Sequence, residues 1–273
     1  MAAREISVPL TPFQEEVLRL LARNRSPESY LAGGAALHSA PNSIRYSQDL
    51  DFFHDSERRV AEAFESDRSL LVSSGFDVEL EFALRGNARA LISRGEEKTL
   101  VDWAHDTAWR FVPVVRDPGG WFRLHDVDLA INKLLALAGR DEPRDYVDIL
   151  DAHDRILPLG ALVWAATGKD PGLSPHGILE LLKRRGRPRQ EDLDRLRLAT
   201  PLDASRCKEK WLRALEEAEP FVSSRPAAEL GCLYFHAASG EFRAPSAAMS
   251  LEEQGLLPHF GAPGGVLPLA VEG

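Results

Sequence analysis

Cysteine is scarce in this sequence. The 273 residues include two cysteines, Cys207 and Cys232, and neither belongs to a CxxC pair or a Cys/His pattern with metal-ligand spacing. A disulfide framework needs several cysteines at regular spacings. The scarcity argues against such a framework, and the eight histidines are likewise scattered without metal spacing.

Long apolar runs are also missing. The longest nearly apolar stretch, 156–168, is too short to span a membrane. The first ten residues, MAAREISVPL, lack the apolar centre of a signal peptide. We therefore expect a soluble cytoplasmic protein that does not associate with membranes.

Positive charge is in short supply. The chain has 33 Lys and Arg against 42 Asp and Glu, a net charge of −9. A protein that coats nucleic acid non-specifically is usually basic, so an RNA partner would need a local basic patch. The densest basic run is 183–189, KRRGRPR. This run fits a solvated helix end, where cations complement the helix dipole, better than it fits contact with an RNA backbone, which stays the alternative.

The sequence pattern divides the chain into three parts. Its length suits one large domain or two smaller ones. Strand and helix patterns mix before the Asp-Pro-Gly-Gly turn at 117–120, helical periodicity dominates after it, and the chain beyond Pro220 is rich in Pro, Gly and Ala. We predict an α+β protein with a mixed sheet in 1–120, a helical part in 121–220 and an extension in 221–273.

The predicted elements follow apolar periodicity and capping signals. Helices are predicted from Thr11-Pro12 onward, from 35, over 56–74, from 126, from 143, and over 157–166, 174–185, 190–198 and 204–218. Strands are predicted over 29–32, 49–53, 76–84, 88–93 and 99–104, with a small hairpin of 231–235 and 242–243. From about residue 258 we expect an irregular tail.

Two aspartates stand two residues apart on one predicted strand. Side chains alternate between the faces of a strand, so Asp49 and Asp51 point the same way while Leu50 and Phe52 point to the core. A hard divalent cation is the usual reason to place two carboxylates together. Taken alone, the pair fits a solvated strand end about as well.

The glycine pair Gly33-Gly34 lies between a predicted strand and a helix start. Glycine lets backbone N–H groups approach a phosphate closely, and a helix N-terminus favours an anion. A simple tight turn would have the same sequence. Ser47 and Arg45 could both contact a phosphate oxygen, although Arg45 could equally pair with an aspartate.

Two sequence blocks resemble a known family. The first is YLAGGAAL at 30–37 followed by RYSQDLDFF at 45–53, and the second is DLAINKLLAL at 128–137 followed by Arg140 and RDYVDI at 144–149. Their order and content resemble the AbiEii/AbiGii toxin family of nucleotidyltransferases, including its MenT-like members, within the DNA polymerase β-like superfamily. The blocks cover roughly residues 30–150. Ala35 departs from the family, which often has Ser or Thr there.

The resemblance implies a bilobed polymerase β-like enzyme. Residues 1–120 would be the nucleotidyltransferase domain and 121–220 a helical domain that completes the cleft. Asp49 and Asp51 would hold Mg²⁺ or Mn²⁺. The NTP would be bound by Gly33, Gly34, Arg45, Ser47 and Lys133. Asp148 would position Lys133 or the acceptor.

Spacing alone gives the second block a plainer interpretation. Asp145 and Asp148 lie three residues apart on one predicted helix face, and Arg144 could pair with Asp148. Lys133 lies off the centre of the apolar stripe of its own helix. These residues could therefore be surface ion pairs on two amphipathic helices.

Polymerase β-like enzymes usually have a third carboxylate on a neighbouring strand, which acts as general base on the acceptor hydroxyl. Asp102 is the candidate here, although it could also be an exposed strand residue. Weaker candidates are Glu79, Glu81 and Asp106.

The sequence thus predicts an enzyme that transfers an NMP from an NTP to an acceptor hydroxyl and releases pyrophosphate. The resemblance implies a toxin that acts on the 3′ end of tRNA, with a cognate antitoxin as partner. Two alternatives remain: transfer to a protein or a small molecule such as an aminoglycoside, and a degenerate nucleotide-binding module without activity.

Overall fold

The computed structural model describes residues 10–39 and 43–268. Two segments that carry a sequence-based expectation lie outside these ranges. They are 1–9, which is most of the segment that lacks a signal-peptide pattern, and 269–273, which is the end of the predicted tail. Among the described residues, no helix is both long and apolar enough to cross a membrane.

The chain forms two compact units. Unit 1 comprises Met1–Ala108, Pro113–His125 and Arg197–Thr200, and unit 2 comprises Trp109–Val112, Asp126–Leu196 and Pro201–Gly273. The domain boundaries predicted near 120 and 220 stay predictions.

The elements are as follows, in chain order. The helices are α1 Pro12–Leu21, α2 Gly33–Leu37, α3 Glu57–Ser73, α4 Asp126–Gly139, α5 Pro143–Arg155, α6 Leu159–Lys169, α7 Pro175–Arg184, α8 Gln190–Asp194 and α9 Ala204–Ser224. The strands are β1 Ser29–Ala32, β2 Asp49–His54, β3 Asp77–Leu84, β4 Asn87–Arg94, β5 Glu97–His105, β6 Trp109–Arg110, β7 Val115–Arg116, β8 Phe122–Arg123, β9 Leu233–His236, β10 Glu241–Phe242, β11 Leu256–His259 and β12 Ala262–Pro263.

Unit 1 is built on a seven-stranded sheet with the order β3-β4-β5-β2-β1-β8-β7. The pairs β2–β5 and β1–β8 are parallel, and the remaining neighbours are antiparallel. The prediction of an α+β chain with a mixed sheet is therefore confirmed. The parallel pairing of β2 with β5 brings two sequence-distant strands side by side at the centre of the sheet.

The core of unit 1 lies beneath one face of this sheet. Leu50 and Phe52 of β2 are fully buried, as the alternation predicts. Asp67 of α3 is also fully buried and accepts hydrogen bonds from Trp103 Nε1 on β5, at 2.6 Å, and from the Arg25 guanidinium. This buried polar network fixes α3 to the sheet that carries the candidate site.

Unit 2 is mainly helical. In α6 the residues from Leu159 to Thr167 are all buried, and α9 packs along this helix. Cys207 and Cys232 are both buried and free. The strands β10, β9 and β11 form a small sheet, and β12 pairs with β6.

Three predicted boundaries are wrong. The helix predicted over 190–198 ends at Asp194, because the chain after it turns back to unit 1, where Leu198 pairs with Arg45. The helix predicted to end at 218 continues through Pro220 to Ser224, since buried Val222 extends its apolar face. The tail expected to be irregular from 258 contains the end of β11 and all of β12.

Candidate active site

Two carboxylates of the candidate site project from β2. Asp49 and Asp51 are partly exposed on the face opposite to the buried side chains of Leu50 and Phe52. The strand geometry that the sequence predicts for them is thus present. Neither aspartate lies at a freely solvated strand end, because β2 is flanked on both sides by β1 and β5.

Asp102 joins this pair from the neighbouring parallel strand. It stands directly beside Asp51 in the register of β2 and β5. One ligand oxygen from each of Asp49, Asp51 and Asp102 lies within 4.8 Å of the others. The three carboxylates therefore form one cluster in unit 1, and Asp102 is largely buried rather than an exposed strand residue.

The weaker candidates for the third carboxylate lie elsewhere. Glu79 and Glu81 belong to the edge strand β3, which β4 and β5 separate from β2. Asp106 follows the end of β5. Within the described residues, none of these three carboxylates belongs to the cluster around Asp49.

An arginine that the sequence reasoning missed faces this cluster. Arg89 of β4 is the register partner of Asp102, and it donates from Nε to Oδ1 at 2.7 Å and from Nη2 to Oδ2 at 3.0 Å. Hydrogen bonding to Asp102 raises the pKa of the Arg89 guanidinium above its ordinary value. The Arg89 guanidinium partly offsets the charge of the three carboxylates, and its two hydrogen bonds fix the orientation of Asp102. Only the pairing of β4 with β5 reveals it, so no motif could have found it.

The glycine pair lies directly against the acidic and basic side chains of the site. Gly33 has φ +61°, and a Cβ built on it would stand 1.8 Å from Asp51 Oδ2. A Cβ on Gly34 would stand 2.7 Å from Arg45 Nη2 and 3.1 Å from Ser47 Oγ. Gly33 is thus required sterically, which a simple tight turn would not explain, whereas at Gly34 the nearest atom is the end of the Arg45 side chain.

Arg45 and Ser47 are buried next to Gly34. Ser47 Oγ donates to the Asp49 carbonyl oxygen at 3.0 Å and lies 3.3 Å from Asp49 Oδ1. The Arg45 backbone is held by the Leu198 bridge, and its Nη1 donates to the Tyr46 carbonyl at 3.3 Å. The structure therefore places both predicted phosphate contacts at the carboxylate strand.

Gln14 is a second supporting residue that sequence reasoning missed. It lies in the first turn of α1, where it forms a capping box with Thr11. Its buried Nε2 also donates to the Ser47 carbonyl and to Thr99 Oγ1, each at 3.3 Å. The Gln14 side-chain amide thus connects α1 to the segment before β2 and to β5 through hydrogen bonds.

The second sequence block forms a buried ion-pair network in unit 2. Lys133 Nζ of α4 lies 3.1 Å from Asp145 Oδ1 and 2.9 Å from Asp148 Oδ2 of α5. Arg140 Nε donates to Asp145 Oδ2 at 2.7 Å. Both aspartates are fully buried, so these are not the surface ion pairs that spacing alone allows. Asp148 contacts and so positions Lys133 within this unit.

A divalent cation fits the donor set of unit 1. Mg²⁺ and Mn²⁺ prefer oxygen ligands, and Mg²⁺ commonly binds through a few carboxylates while keeping several waters. The three clustered oxygens of Asp49, Asp51 and Asp102 supply such ligands, and the first two remain accessible. The donor set contains neither sulfur nor imidazole, which would have favoured zinc.

No protein-family profile and no curated protein matches the sequence of this chain. Its structure is similar to that of the nucleotidyltransferase toxin MenT4 from Mycobacterium tuberculosis, with a TM-score of 0.52 and 18% identity over 79% of this chain and 83% of MenT4. JHP933 from Helicobacter pylori has a TM-score of 0.48 and 17% identity over 78% of this chain and 95% of its own. At this level of identity the likeness shows the fold: this chain has a fold similar to that of MenT4, which agrees with the fold that the motif resemblance implies.

Proposed function

We propose that this protein is a metal-dependent nucleotidyltransferase that moves an NMP from an NTP to an acceptor hydroxyl. The observation that carries the proposal is the convergence of Asp49, Asp51 and Asp102 from two parallel neighbouring strands. Three carboxylates repel one another, and binding a divalent cation offsets that repulsion. The MenT4-like fold supports the same chemistry.

In this proposal Asp49 and Asp51 hold the metal ion, with Asp102 beside them. A bound Mg²⁺ or Mn²⁺ would orient the triphosphate and stabilise the charge that develops on it. Gly33 and Gly34 would let the triphosphate approach the backbone closely, since neither residue has a side chain and Gly33 has no room for one. Ser47 and Arg45 would then position phosphate oxygens next to β2.

Asp102 is the proposed general base. The acceptor oxygen forms a bond to the α-phosphorus while the bond from that phosphorus to the pyrophosphate oxygen breaks. The acceptor proton passes to a carboxylate oxygen of Asp102. Arg89 fixes the orientation of that carboxylate through two hydrogen bonds, so Arg89 is proposed as a positioning residue.

The proposed roles of Lys133 and Asp148 rest on the motif resemblance. Lys133 would contact the triphosphate as a point charge. Asp148 would hold the ammonium group in place, in agreement with their 2.9 Å contact. Fully buried Asp145 shares the same ammonium group and would act with Asp148.

The acceptor we propose is the 3′ end of tRNA, and the biological role is that of a cytoplasmic toxin restrained by a cognate antitoxin. The resemblance to the AbiEii/AbiGii family supports this role, and MenT4 is itself a nucleotidyltransferase toxin. Adding a nucleotide to the tRNA 3′ end would block aminoacylation.

The test is incubation of the purified protein with deacylated tRNA, Mg²⁺ and each of the four α-labelled NTPs. We expect label on RNA with at least one NTP and loss of that label when Mg²⁺ is chelated. A terminal nucleotidyltransferase of known activity serves as positive control. No labelled product with any NTP would contradict the proposal.

The same experiment separates the alternative acceptors. Label on protein bands in a crude lysate, with none on RNA, would favour a protein acceptor. Cellular toxicity that survives Asp49→Asn would favour a module that acts without catalysis.

A further inference from the structure

The basic run 183–189 borders a cavity in unit 2. The cavity has a volume of about 440 Å³ and lies between the end of α7 and the beginning of α9. Its lining includes Lys183, Arg187 and Lys208, and no acidic residue. An opening lined by three cations stands out in a chain whose net charge is −9.

Two of these cations lack carboxylate partners. In the described part of the chain, no ion pair joins Arg187 or Lys208 to an acidic side chain, and both residues are exposed. Arg187 Nη2 donates to the Lys183 carbonyl at 2.9 Å, which holds the guanidinium at the rim. Lys183 differs, because Glu180 and Glu219 pair with it. The anion-attracting charge therefore comes chiefly from Arg187 and Lys208.

The helix geometry adds to this positive character. Ala204 and Ser205, the first residues of the 21-residue helix α9, line the cavity. The N-terminus of a long helix carries partial positive charge that favours anions. The Asp203 carboxylate at the N-cap accepts a hydrogen bond from the Arg206 N–H at 2.8 Å and offsets part of this charge, so the two cationic side chains supply most of the attraction for an anion.

The floor of the cavity is aromatic and apolar. Tyr146 and Trp211 pack edge to face with ring centroids 5.3 Å apart, and half-exposed Leu212 forms part of the wall. Gly186, with φ +68°, lies against both rings, and a Cβ there would stand 2.8 Å from Tyr146 Cδ2. A ligand with a charged group and a flat or apolar part would match this combination of cationic rim and apolar wall.

We propose that this cavity, bounded by α5, α7 and α9, is a binding subsite for a phosphodiester and adjoining nucleoside of the RNA acceptor. Arg187 and Lys208 contact the phosphate, and the nucleoside rests against the wall formed by Leu212 and the floor below it. The inference deepens the proposed function, because it assigns the acceptor-binding residues of a nucleotidyltransferase to unit 2.

The test compares charge-reversal variants that carry the same change in net charge. The variant R187E/K208E alters the cavity, and R68E/R213E alters two exposed arginines outside its lining, one in α3 and one in α9. The binding of fluorescent deacylated tRNA is measured by anisotropy from about 50 to 200 mM salt, a range over which phosphate contacts weaken strongly. The neutral variant R187Q/K208Q is included in case the reversal disturbs folding, which thermal denaturation checks.

We expect R187E/K208E to raise the Kd for tRNA by at least about tenfold. We also expect a smaller salt slope, which is the steepness with which the logarithm of the binding constant falls as the logarithm of the salt concentration rises. Each lost phosphate contact lowers this slope by roughly 0.7 to 1, so the decrease should be about 1 to 2. R187Q/K208Q should show the same trend, and R68E/R213E should bind like the parent. Equal Kd values and slopes for the cavity and control pairs would overturn the inference. So would loss of ATP binding by the cavity variants with tRNA binding unchanged, because the ligand would then be a free nucleotide.

Failure of this inference is distinguishable from failure of the proposed function. If the parent protein labels tRNA while the cavity variants bind tRNA normally, the subsite is wrong and the activity stands. If the parent labels no acceptor while the cavity variants still lose tRNA binding, the subsite stands and the activity is wrong.

Discussion

At the scale of single residues, the site depends on a glycine that has no side chain as well as on the charged side chains. The lack of a Cβ at Gly33 leaves the space that Asp51 Oδ2 occupies. The sequence predicted that Asp49 and Asp51 share a face, because side-chain alternation on a strand is local. It could not establish that Asp102 joins them, since strand register is a long-range property.

The first prediction concerns Gly33→Ala. Alanine with φ near +61° costs about 1–2 kcal/mol. Its Cβ would also displace Asp51, and a misplacement of about 1 Å at a catalytic group can cost about 100-fold in rate. We expect loss of nucleotide transfer by at least that factor.

Gly75→Ala is the matched control, because Gly75 has φ +83° and nothing lies within 4 Å of its added Cβ. Gly75→Ala should lower the free energy of unfolding, measured in urea, by about the same 1–2 kcal/mol that alanine costs at a positive φ. The rate of nucleotide transfer should stay unchanged. Equal activity in the two variants would show that contact with Asp51 does not matter.

The second prediction concerns Asp128 of α4. Burial raises the pKa of its carboxyl from 3.8 to about 6, although the Phe111 and Val112 N–H groups donate to it at 2.8 and 3.1 Å. The folded state therefore binds this proton more tightly than the unfolded state. The resulting stability is complete below about pH 4 and is lost as pH rises through about 6.

Asp128→Asn removes this titration. The quantity to compare is the free energy of unfolding of the parent minus that of the variant. As pH rises from about 4 to 6, this difference should fall by up to about 1.4 kcal/mol per pH unit. The total decrease should be about 3 kcal/mol. Urea unfolding across that range measures the difference, which should be flat above about pH 7. A difference that rises with pH would contradict the assignment of the raised pKa to Asp128.

At the scale of elements, buried polar contacts fix the helices of unit 1 to the strands that carry the carboxylates. Gln14 connects α1 to Ser47 and Thr99. Asp67 connects α3 to Trp103 of β5. Apolar periodicity predicted these helices, but it could not identify their partners, because a polar residue on a buried face gives no periodic signal.

The third prediction concerns Asp67→Ala in α3. The substitution leaves the guanidinium of Arg25 buried without its carboxylate, since both side chains of this pair are fully buried. Breaking such a pair by removing one partner costs about 3–5 kcal/mol. Thermal and urea denaturation should show a loss of that size.

Glu62→Ala in the same helix is its control. Glu62 pairs with Arg58 at 2.9 Å, but both side chains are more than half exposed. Exposed pairs contribute at most about 1 kcal/mol. A loss at Glu62 as large as that at Asp67 would mean that burial of the charge is not the cause.

At the scale of the whole molecule, the chain combines an acidic net charge with local basic character. Unit 1 holds the carboxylate cluster, and unit 2 holds the Lys133 network and the cationic cavity. Composition excluded non-specific nucleic-acid coating, and the motifs indicated the carboxylate pair. Lys208 lines the cavity although it lies outside the basic run 183–189 in the sequence. The sequence could not predict this neighbour, because folding alone brings Lys208 close to the run.

The most direct test of the central claim is the rate of NMP incorporation into tRNA as a function of Mg²⁺ concentration for Asp49→Asn, Asp51→Asn and Asp102→Asn. Asp77→Asn, which changes an exposed aspartate of β3 outside the cluster, is the matched control. We predict that each cluster variant loses at least about 100-fold in rate, as expected when a group that acts in the transition state is removed. Asp77→Asn should match the parent. Rates within twofold of the parent for all three cluster variants would contradict the assignment of the carboxylates as the catalytic centre.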